Sequence, residues 1–363
     1  MTTTVGVAAR PLRARGWGTR PFPWPLVGLC CLLVAGLADA VLRHERGITG
    51  DEPFYVRMAT HPGGPHSFPY ADRIAVPWLV HVLPFSQVVS FQLLALLAIG
   101  ASGAALYVLL VDFGVSARLG AALAIGFAVS PNLLVVLLRN GRSIDPETIL
   151  VMVLGCLFIV RRQKLALALT ILIGVAVKET SLFLIPFAYA VWAQRLIDRS
   201  ALRDVALVAA APIAGYVFLR AAIPAVGGQY TPGYGGPFLK ARLDVFRKVL
   251  TVDELKRAAY AFGPLWLVAP FALRSLPFAR RGLVLVGLCV IAMTVSFDAG
   301  RVIFLAAPVI YVAAASVVEH RRRLALLTVV ALFALDLGYA GYMQYHGVQY
   351  GLDTTAKSPI PVY

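Results

Sequence analysis

Stretches of about twenty consecutive apolar residues recur along this sequence, and a stretch of that length crosses the hydrocarbon layer of a bilayer as an α-helix. Of the 363 residues, 59% are hydrophobic and 14% are charged. Soluble domains are roughly 45–50% apolar and about 25% charged. A soluble core cannot bury so much apolar surface, so lipid must solvate most of it. We therefore predict an all-α, polytopic transmembrane protein with a single transmembrane domain over residues 1–363.

The apolar windows predict about eleven spans. These spans lie near residues 24–43, 86–112, 118–138, 147–160, 165–178, 180–194, 205–223, 262–273, 282–298, 301–319 and 324–343. Residues 165–194 can be either one long helix or a hairpin of two short spans. A single helix would place Lys178 and Glu179 inside lipid, which is costly, so we favour the hairpin.

The basic residues indicate how the chain is threaded through the membrane. The formal net charge is +15, a value that can suggest a nucleic-acid partner. Lys and Arg instead cluster in alternate short loops between apolar segments, which is typical of cytoplasmic loops. We therefore expect no nucleic-acid partner, a cytoplasmic N-terminus and an extracytoplasmic C-terminus. Two long loops then lie outside, the first outer loop over residues 44–85 and the second over residues 224–261.

Most of the unusual polar residues fall on the outer side of this layout. They occur as Asp51-Glu52, Asp72-Arg73, Arg142 with Asp145, Lys178-Glu179, and Asp298 with Arg301. Charged residues at span ends usually face a water-filled cavity lined by protein, because exposure to lipid is expensive. The four loops that carry these residues therefore predict one polar cavity that opens outward.

Such a cavity suits group transfer from an anionic lipid carrier. A carboxylate can act as a general base that takes a proton from an acceptor hydroxyl, and it can also hold a divalent cation. Arg and Lys can neutralise a phosphate leaving group, with Arg binding it through two parallel hydrogen bonds. The outer clusters contain both kinds of residue, so they supply the minimum set for this chemistry.

The motif Gly50-Asp51-Glu52-Pro53-Phe54-Tyr55 follows the first predicted span. A first span followed by an outer loop with an Asp-Glu pair resembles the GT-C superfamily of polyprenyl-phosphate-sugar-dependent glycosyltransferases. The motif is similar to the acidic motif of protein O-mannosyltransferases, and the resemblance covers the topology of roughly residues 1–200. It implies that Asp51 is the catalytic base, with Glu52 assisting it or binding a metal. It also implies that Asp145 takes the place of a second acid in the next outer loop.

The resemblance leads us to expect a GT-C-like membrane enzyme that moves a sugar, with inversion, from a polyprenyl-phosphate donor to an extracytoplasmic glycan, lipid or protein. The chain is short for that superfamily and shows no acceptor-recognition motif, so the acceptor stays open. We expect the donor phosphate to contact Arg73, Arg142, Lys178 and Arg301. We expect Asp145, Glu179 and Asp298 to support the site or to hold a divalent cation. Residues 227–236 are a candidate mobile loop over the acceptor, and the Ala-, Arg- and Gly-rich composition favours a bacterial plasma membrane.

The same residues also have structural interpretations. Asp51 and Asp145 can each favour the start of a helix, since a proline follows soon after. Lys178 and Glu179 can form an ion pair with each other at the tip of the hairpin. Arg301 can anchor a span end by extending its guanidinium to the interface.

Two other functions remain open at this stage. A transporter or lipid flippase would explain many spans and buried charge, although we find no paired halves with broken spans in corresponding places. A non-catalytic membrane scaffold is the second alternative. Asp39 and Asp336 lie inside predicted spans, and for each we favour a buried polar contact over a proton relay.

Overall fold

The computed structural model describes residues 22–42, 51–64, 66–67, 70–138, 141–223, 225–226, 251–293 and 299–345. Most of this chain is helical, because an apolar segment in lipid must satisfy its backbone hydrogen bonds internally. The α-helices are α1 (Trp24–Leu42), α2 (Glu52–Thr60), α3 (Ala75–Val82), α4 (Gln87–Asp112), α5 (Ala117–Ala128), α6 (Pro131–Leu138), α7 (Asp145–Val160), α8 (Lys164–Val177), α9 (Leu184–Trp192), α10 (Arg199–Ala222), α11 (Val252–Tyr260), α12 (Leu265–Val268), α13 (Pro277–Met293), α14 (Ala299–Ile303), α15 (Ala307–Val318) and α16 (Arg322–Tyr345). Short 3-10 segments cover Glu179–Phe183, Ala269–Arg274 and Phe304–Ala306.

Several of these helices can cross a membrane. Among the described residues, 5 helical segments are long and apolar enough, namely Trp24–Leu42, Gln87–Asp112, Arg199–Ala222, Ala299–Val318 and Arg322–Tyr342. α5 and α6 make a further span when counted together, although they meet at an angle of 44°. The prediction of a helical membrane protein is confirmed. The layout of about eleven spans and its orientation stay predictions, because the other predicted spans correspond to shorter helices.

The helices differ in how far the rest of the chain surrounds them. Leu33 on α1 is 58% exposed and Leu326 on α16 is 65% exposed, so these two helices need lipid as their solvent. The segment Ala299–Val318 is instead enclosed by its neighbours and forms the centre of the bundle. Arg301 therefore projects from the first turn of a central helix rather than from the periphery.

The chain doubles back at Lys178 instead of continuing as one helix. α8 ends at Val177, and Lys178 has an extended backbone (φ −161°, ψ 135°). The 3-10 segment and α9 then return the chain to the other end of the bundle. There the indole Nε1 of Trp192, the last residue of α9, donates a 2.9 Å hydrogen bond to the carbonyl of Ile159 in the last turn of α7. Lys178 consequently lies at the same end of the bundle as the start of α7.

Ion pairs mark the opposite end of the bundle. Arg161 pairs with Asp112 at 2.7 Å, and Lys164 pairs with Asp204 at 2.6 Å. Glu319 accepts hydrogen bonds from the backbone and hydroxyl of Ser116. These residues belong to or border loops that we predict to be cytoplasmic, and they gather at one end, as the alternation of loops requires.

A two-residue parallel ladder joins the two predicted outer loops, which the all-helical prediction did not include. His66–Ser67 of the first loop pairs with Ala225–Val226 of the second. The ladder holds the chain after α10 against the segment that precedes Asp72 and Arg73. Residues 227–236, our candidate mobile loop, lie outside the described residues.

Candidate functional site

Asp51 stands at the N-terminal boundary of α2, and its carboxylate turns away from that helix. The side chain makes no capping hydrogen bond to α2, so the helix-start interpretation does not explain it. Tyr70 donates a 2.8 Å hydrogen bond to Oδ1 of Asp51, and Nη1 of Arg301 lies 3.2 Å from Oδ2. Asp51 is therefore held as a carboxylate acceptor between a phenol and a guanidinium.

Asp145 occupies the first turn of α7 and faces the same guanidinium. Nη2 of Arg301 lies 2.6 Å from its Oδ2, and Nζ of Lys178 lies 3.1 Å from its Oδ1. The hydroxyl of Ser143 donates a 2.9 Å hydrogen bond to the same carboxylate. The N-cap of α7 is Ile144 and it makes no side-chain capping bond, so capping is the wrong role for Asp145.

Arg301 thus connects two carboxylates that come from different parts of the chain. We call Asp51, Asp145, Lys178 and Arg301 the Arg301 cluster. Two positive and two negative groups balance formally, and the side chains are between 10% and 25% exposed. A balanced group at such depth satisfies the requirement that buried charge be paired.

A second ion pair lies beside this cluster. Nε and Nη2 of Arg73 bind the two oxygens of Glu179 at 3.0 and 2.6 Å, in the parallel arrangement that a guanidinium favours. Tyr55 accepts a 3.3 Å hydrogen bond from Arg73, and the ring of Tyr70 lies 5.3 Å from its guanidinium carbon. Lys178 and Glu179 therefore pair with other partners rather than with each other.

The surroundings shift the titration of these groups. Burial alone would raise the pKa of Asp51, but Arg301, the hydrogen bond from Tyr70 and Arg73 outweigh it, so the pKa lies below its ordinary value. Burial acts in the same way on Asp145, where Arg301 and Lys178 prevail and lower the pKa. For Glu179, Arg73 overcomes burial and brings the pKa to about 2. All three carboxylates are ionised at neutral pH.

Three predicted site residues are not part of these ion pairs. Glu52 is buried at the first position of α2, next to Asp51. Arg142 is half-buried in the turn before α7, and it has no hydrogen bond or ion pair within the part of the chain that the structure describes. Asp298 lies outside the described residues. The predicted roles of these three residues stay predictions.

Several contributing residues were missed by the sequence analysis. Tyr55 and Tyr70 flank Arg73 and Asp51. The sequence signal that could have identified them is their position beside the acidic motif and the Asp72-Arg73 pair. Ser143, between Arg142 and Asp145, was not singled out. Asp72 itself pairs with Arg220 of α10, 3.1 Å away, instead of holding its neighbour Arg73.

Glu254 supports the site indirectly, through a contact with the start of α14. Thr251 caps α11 by accepting a hydrogen bond from the backbone of Glu254, as the Thr-Val-Asp-Glu pattern predicts. The carboxylate of Glu254 then reaches across to accept a 3.0 Å hydrogen bond from the backbone N–H of Ala299, and it also pairs with Arg257. Ala299 begins α14, so Glu254 holds the short helix that carries Arg301.

The contacts of the carboxylates do not favour the divalent cation that we considered. Among the described residues, no group of three or more His, Cys, Asp or Glu side chains is arranged to hold a metal ion. Asp51 and Asp145 already face Arg301 and Lys178, whose charges would repel a metal ion. Arg301 and Lys178, at one end of the helical bundle, are better suited to an anion, which can exchange with the carboxylates as their partner.

The site thus places an ionised carboxylate beside two cations at the ends of helices. This combination can accept a proton while it stabilises negative charge on a departing group.

Neither the comparison with protein-family models nor the comparison with curated protein sequences finds a match to this chain.

Proposed function

We propose that this protein is a membrane glycosyltransferase that moves a sugar from a polyprenyl-phosphate donor to an acceptor hydroxyl at the extracytoplasmic face. The observation that carries the proposal is the position of Arg301, whose two terminal nitrogens contact Asp51 at 3.2 Å and Asp145 at 2.6 Å. One cation thereby joins the candidate base to a second acid, and together with Lys178 it would supply positive charge for a donor phosphate. The GT-C resemblance of the first outer loop points to the same reaction.

The charge change of this reaction matches the residues of the cluster. The donor is a phosphodiester with about one negative charge, and the released polyprenyl phosphate is a monoester with about two at neutral pH. Negative charge therefore grows on the phosphate as the glycosidic bond breaks. Cations that are already in place stabilise that growing charge without reorganisation, and such stabilisation supplies much of the rate acceleration in many enzymes. Arg301 and Lys178 are the two cations best placed for this role.

The proposed step is a single displacement. The acceptor oxygen forms a bond to C1 of the sugar, while the bond from C1 to the phosphate oxygen breaks and its electron pair stays on the phosphate. The acceptor proton passes to the carboxylate of Asp51. Attack from the side opposite the leaving group inverts the configuration at C1.

Donor binding would also prepare the base. In the resting protein Arg301 helps to hold the pKa of Asp51 below its ordinary value. A phosphate that draws the guanidinium of Arg301 toward itself would weaken that pairing, and the pKa of Asp51 would rise toward its ordinary range. The carboxylate would then be a stronger proton acceptor only when a donor is present. Arg73 and Arg142 would complete the phosphate contacts, and Glu179 would orient Arg73.

The experiment that tests this proposal is donor turnover by purified protein in nanodiscs. A mixed pool of radiolabelled polyprenyl-phosphate sugars is offered with a mixed glycan, lipid and peptide acceptor pool. Consumption of one donor by the wild-type protein supports the enzyme and identifies the sugar. Folded protein that neither consumes nor binds any donor contradicts the proposal. Movement of labelled lipid between the leaflets of proteoliposomes would then favour the transporter or flippase. If the lipid does not move, the scaffold is favoured.

A further inference from the structure

A second set of buried polar side chains lies within the helices, away from the Arg301 cluster. Its members are Ser130, Asn132, Tyr311 and Asp336, of which none is more than 4% exposed. The hydroxyls of Ser130 and Tyr311, both amide atoms of Asn132 and Oδ2 of Asp336 have no hydrogen-bond partner among the described residues. Buried polar atoms nearly always have a partner, so this concentration requires a specific explanation.

The helix register brings Asp336 to the junction between α5 and α6. Leu332, Asp336 and Ala340 are spaced by four residues, so they share the buried face of α16. Leu332 lies against Gly126 of α5, and Ala340 packs with Leu134 of α6. Asp336 stands midway between these two contacts, so it faces the residues that connect the two helices.

Ser130 is in that connection, and Asn132 is the second residue of α6. α5 ends at Ala128 and α6 begins at Pro131, with a bend of 44° between them. Pro131 has no backbone N–H, so the helical hydrogen-bond ladder is interrupted there. Interrupted backbone within a membrane is tolerated where protein or a bound group satisfies its polar atoms.

Tyr311 approaches the same junction from the central helix α15. Its ring meets the ring of Phe127 edge-on, with centroids 5.4 Å apart and planes at 90°. Phe127 follows Gly126, the residue of α5 that lies against Leu332 of α16, so Tyr311 lies beside the same helix contact. Three elements therefore bring buried polar side chains to one region of the bundle, namely the α5–α6 junction, α15 and α16.

The charge of these four side chains indicates which class of ligand they would bind. Asp336 lies deep in a predicted span, and within the described ranges no Lys, Arg or His forms an ion pair with it. A carboxylate at that depth is costly unless a cation neutralises it. We propose that Ser130, Asn132, Tyr311 and Asp336 form a binding site for a monovalent cation, with Na⁺ as the first probe. Asp336 supplies the single negative charge, and the two hydroxyls and the amide oxygen supply further hard oxygen ligands, the type of ligand that holds Na⁺ at broken helices.

This site is independent of glycosyl transfer. It joins the bent pair α5–α6 to α15, which continues directly from the segment that bears Arg301. A cation bound there would stabilise the packing of these helices whether or not the protein turns over a donor. If the cation-site proposal fails, the proposed glycosyl transfer is not affected.

The test is a thermal-stability titration of purified protein in detergent, with choline chloride keeping the ionic strength constant. We expect NaCl to raise Tm saturably by at least about 2 °C in the wild-type protein. Asp336→Asn should abolish the rise, because it removes the charge and nearly preserves the shape. Asp39→Asn is the matched control, since Asp39 is also a buried acid in a span but accepts a 2.8 Å hydrogen bond from Gln92. This control should keep the rise.

Two further measurements keep the test decisive. LiCl and KCl are titrated in parallel, and a saturable rise with either one also supports the site. Tyr311→Phe should weaken the apparent affinity several-fold, and it replaces Asp336→Asn if that variant does not fold. The proposal is overturned if no monovalent cation raises Tm saturably, or if Asp336→Asn and Tyr311→Phe respond as the wild type does. Stabilisation by acidification alone, without a cation effect, would show a protonated Asp336 and would also overturn it.

Discussion

Asp51 and Arg301 are 250 positions apart in the sequence, and Oδ2 of the first lies 3.2 Å from Nη1 of the second. The pair ties the first outer loop to the central helix of the bundle. Because Arg301 also contacts Asp145 at 2.6 Å, its loss would leave Asp145 with Lys178 and Asp51 with Arg73 as the remaining nearby cation. If the proposed function is right, stability and donor binding both depend on this side chain.

Removing Arg301 should affect both properties. We expect Arg301→Gln to destabilise the protein by about 3–5 kcal/mol, because breaking a buried ion pair leaves uncompensated charge. The KM for the donor should also rise, since the phosphate loses its main partner. Thermal unfolding in detergent and initial-rate kinetics measure the two effects.

A double variant separates stability from donor binding. Arg301→Gln combined with Asp145→Asn removes one of the stranded charges, so it should recover part of the lost stability. Donor turnover should not recover, because the guanidinium is still absent. Recovery of turnover in the double variant would show that Arg301 only balances charge.

The pH dependence of stability follows from the lowered pKa values. Asp51, Asp145 and Glu179 titrate in the folded protein below the ordinary values of about 3.9 for Asp and about 4.3 for Glu. Their contribution to stability is therefore complete above about pH 5 and is lost as the pH falls toward 2. We expect these three groups to leave Tm unchanged from about pH 5 to 7 and to lower it below about pH 4.5. In Glu179→Gln the decrease should be smaller, and an unchanged decrease would contradict the role of the Arg73–Glu179 pair.

Glu254 should act as a positioning residue for Arg301. Glu254→Ala removes the acceptor for the N–H of Ala299, so we expect the donor KM to rise several-fold at a stability cost of only about 1 kcal/mol. Glu254→Gln keeps an acceptor oxygen, and it should restore most of the affinity for the donor. Steady-state kinetics that show a wild-type KM for Glu254→Ala would exclude the positioning role.

The predicted orientation can be tested by labelling. Gly63 of the first outer loop is exposed with open space around it, and Gln163 is exposed in the turn between α7 and α8 at the opposite end. Cys30 is partly exposed, whereas Cys31, Cys156 and Cys289 are buried. In a Cys30→Ser background, a membrane-impermeant maleimide added to intact cells should label Gly63→Cys and spare Gln163→Cys. The reverse pattern would invert the predicted topology and move the Arg301 cluster to the cytoplasmic side.

The sequence predicted the membrane class and much of the candidate site. Apolar runs specify helices in lipid, and the cost of burying charge placed Asp51, Asp145, Lys178 and Arg301 together at one end. Their pairing could not be predicted, because it depends on packing between distant segments. Lys178 contacts Asp145, 33 positions earlier, rather than the adjacent Glu179.

Other features have no local signal. The ladder between residues 66–67 and 225–226 is too short to produce a strand pattern. The predicted span 118–138 is bent, and Pro131 was the only sign of this bend in the sequence. From the sequence, Asp336 was interpreted as an ordinary buried polar contact. Only the packing of α16 against the α5–α6 junction shows which side chains surround it. Tertiary packing decided each of these outcomes.

The most direct measurement is the single-turnover rate of donor consumption by folded, membrane-inserted wild type and Asp51→Asn. The matched control is Asp112→Asn, which removes an exposed pair with Arg161 at the opposite end of the bundle. If Asp51 is the base, its variant should be slower by about 10²–10⁴-fold, whereas the control should stay within about twofold of the wild type. A wild-type rate for Asp51→Asn would contradict the assignment of the base and with it the central proposal.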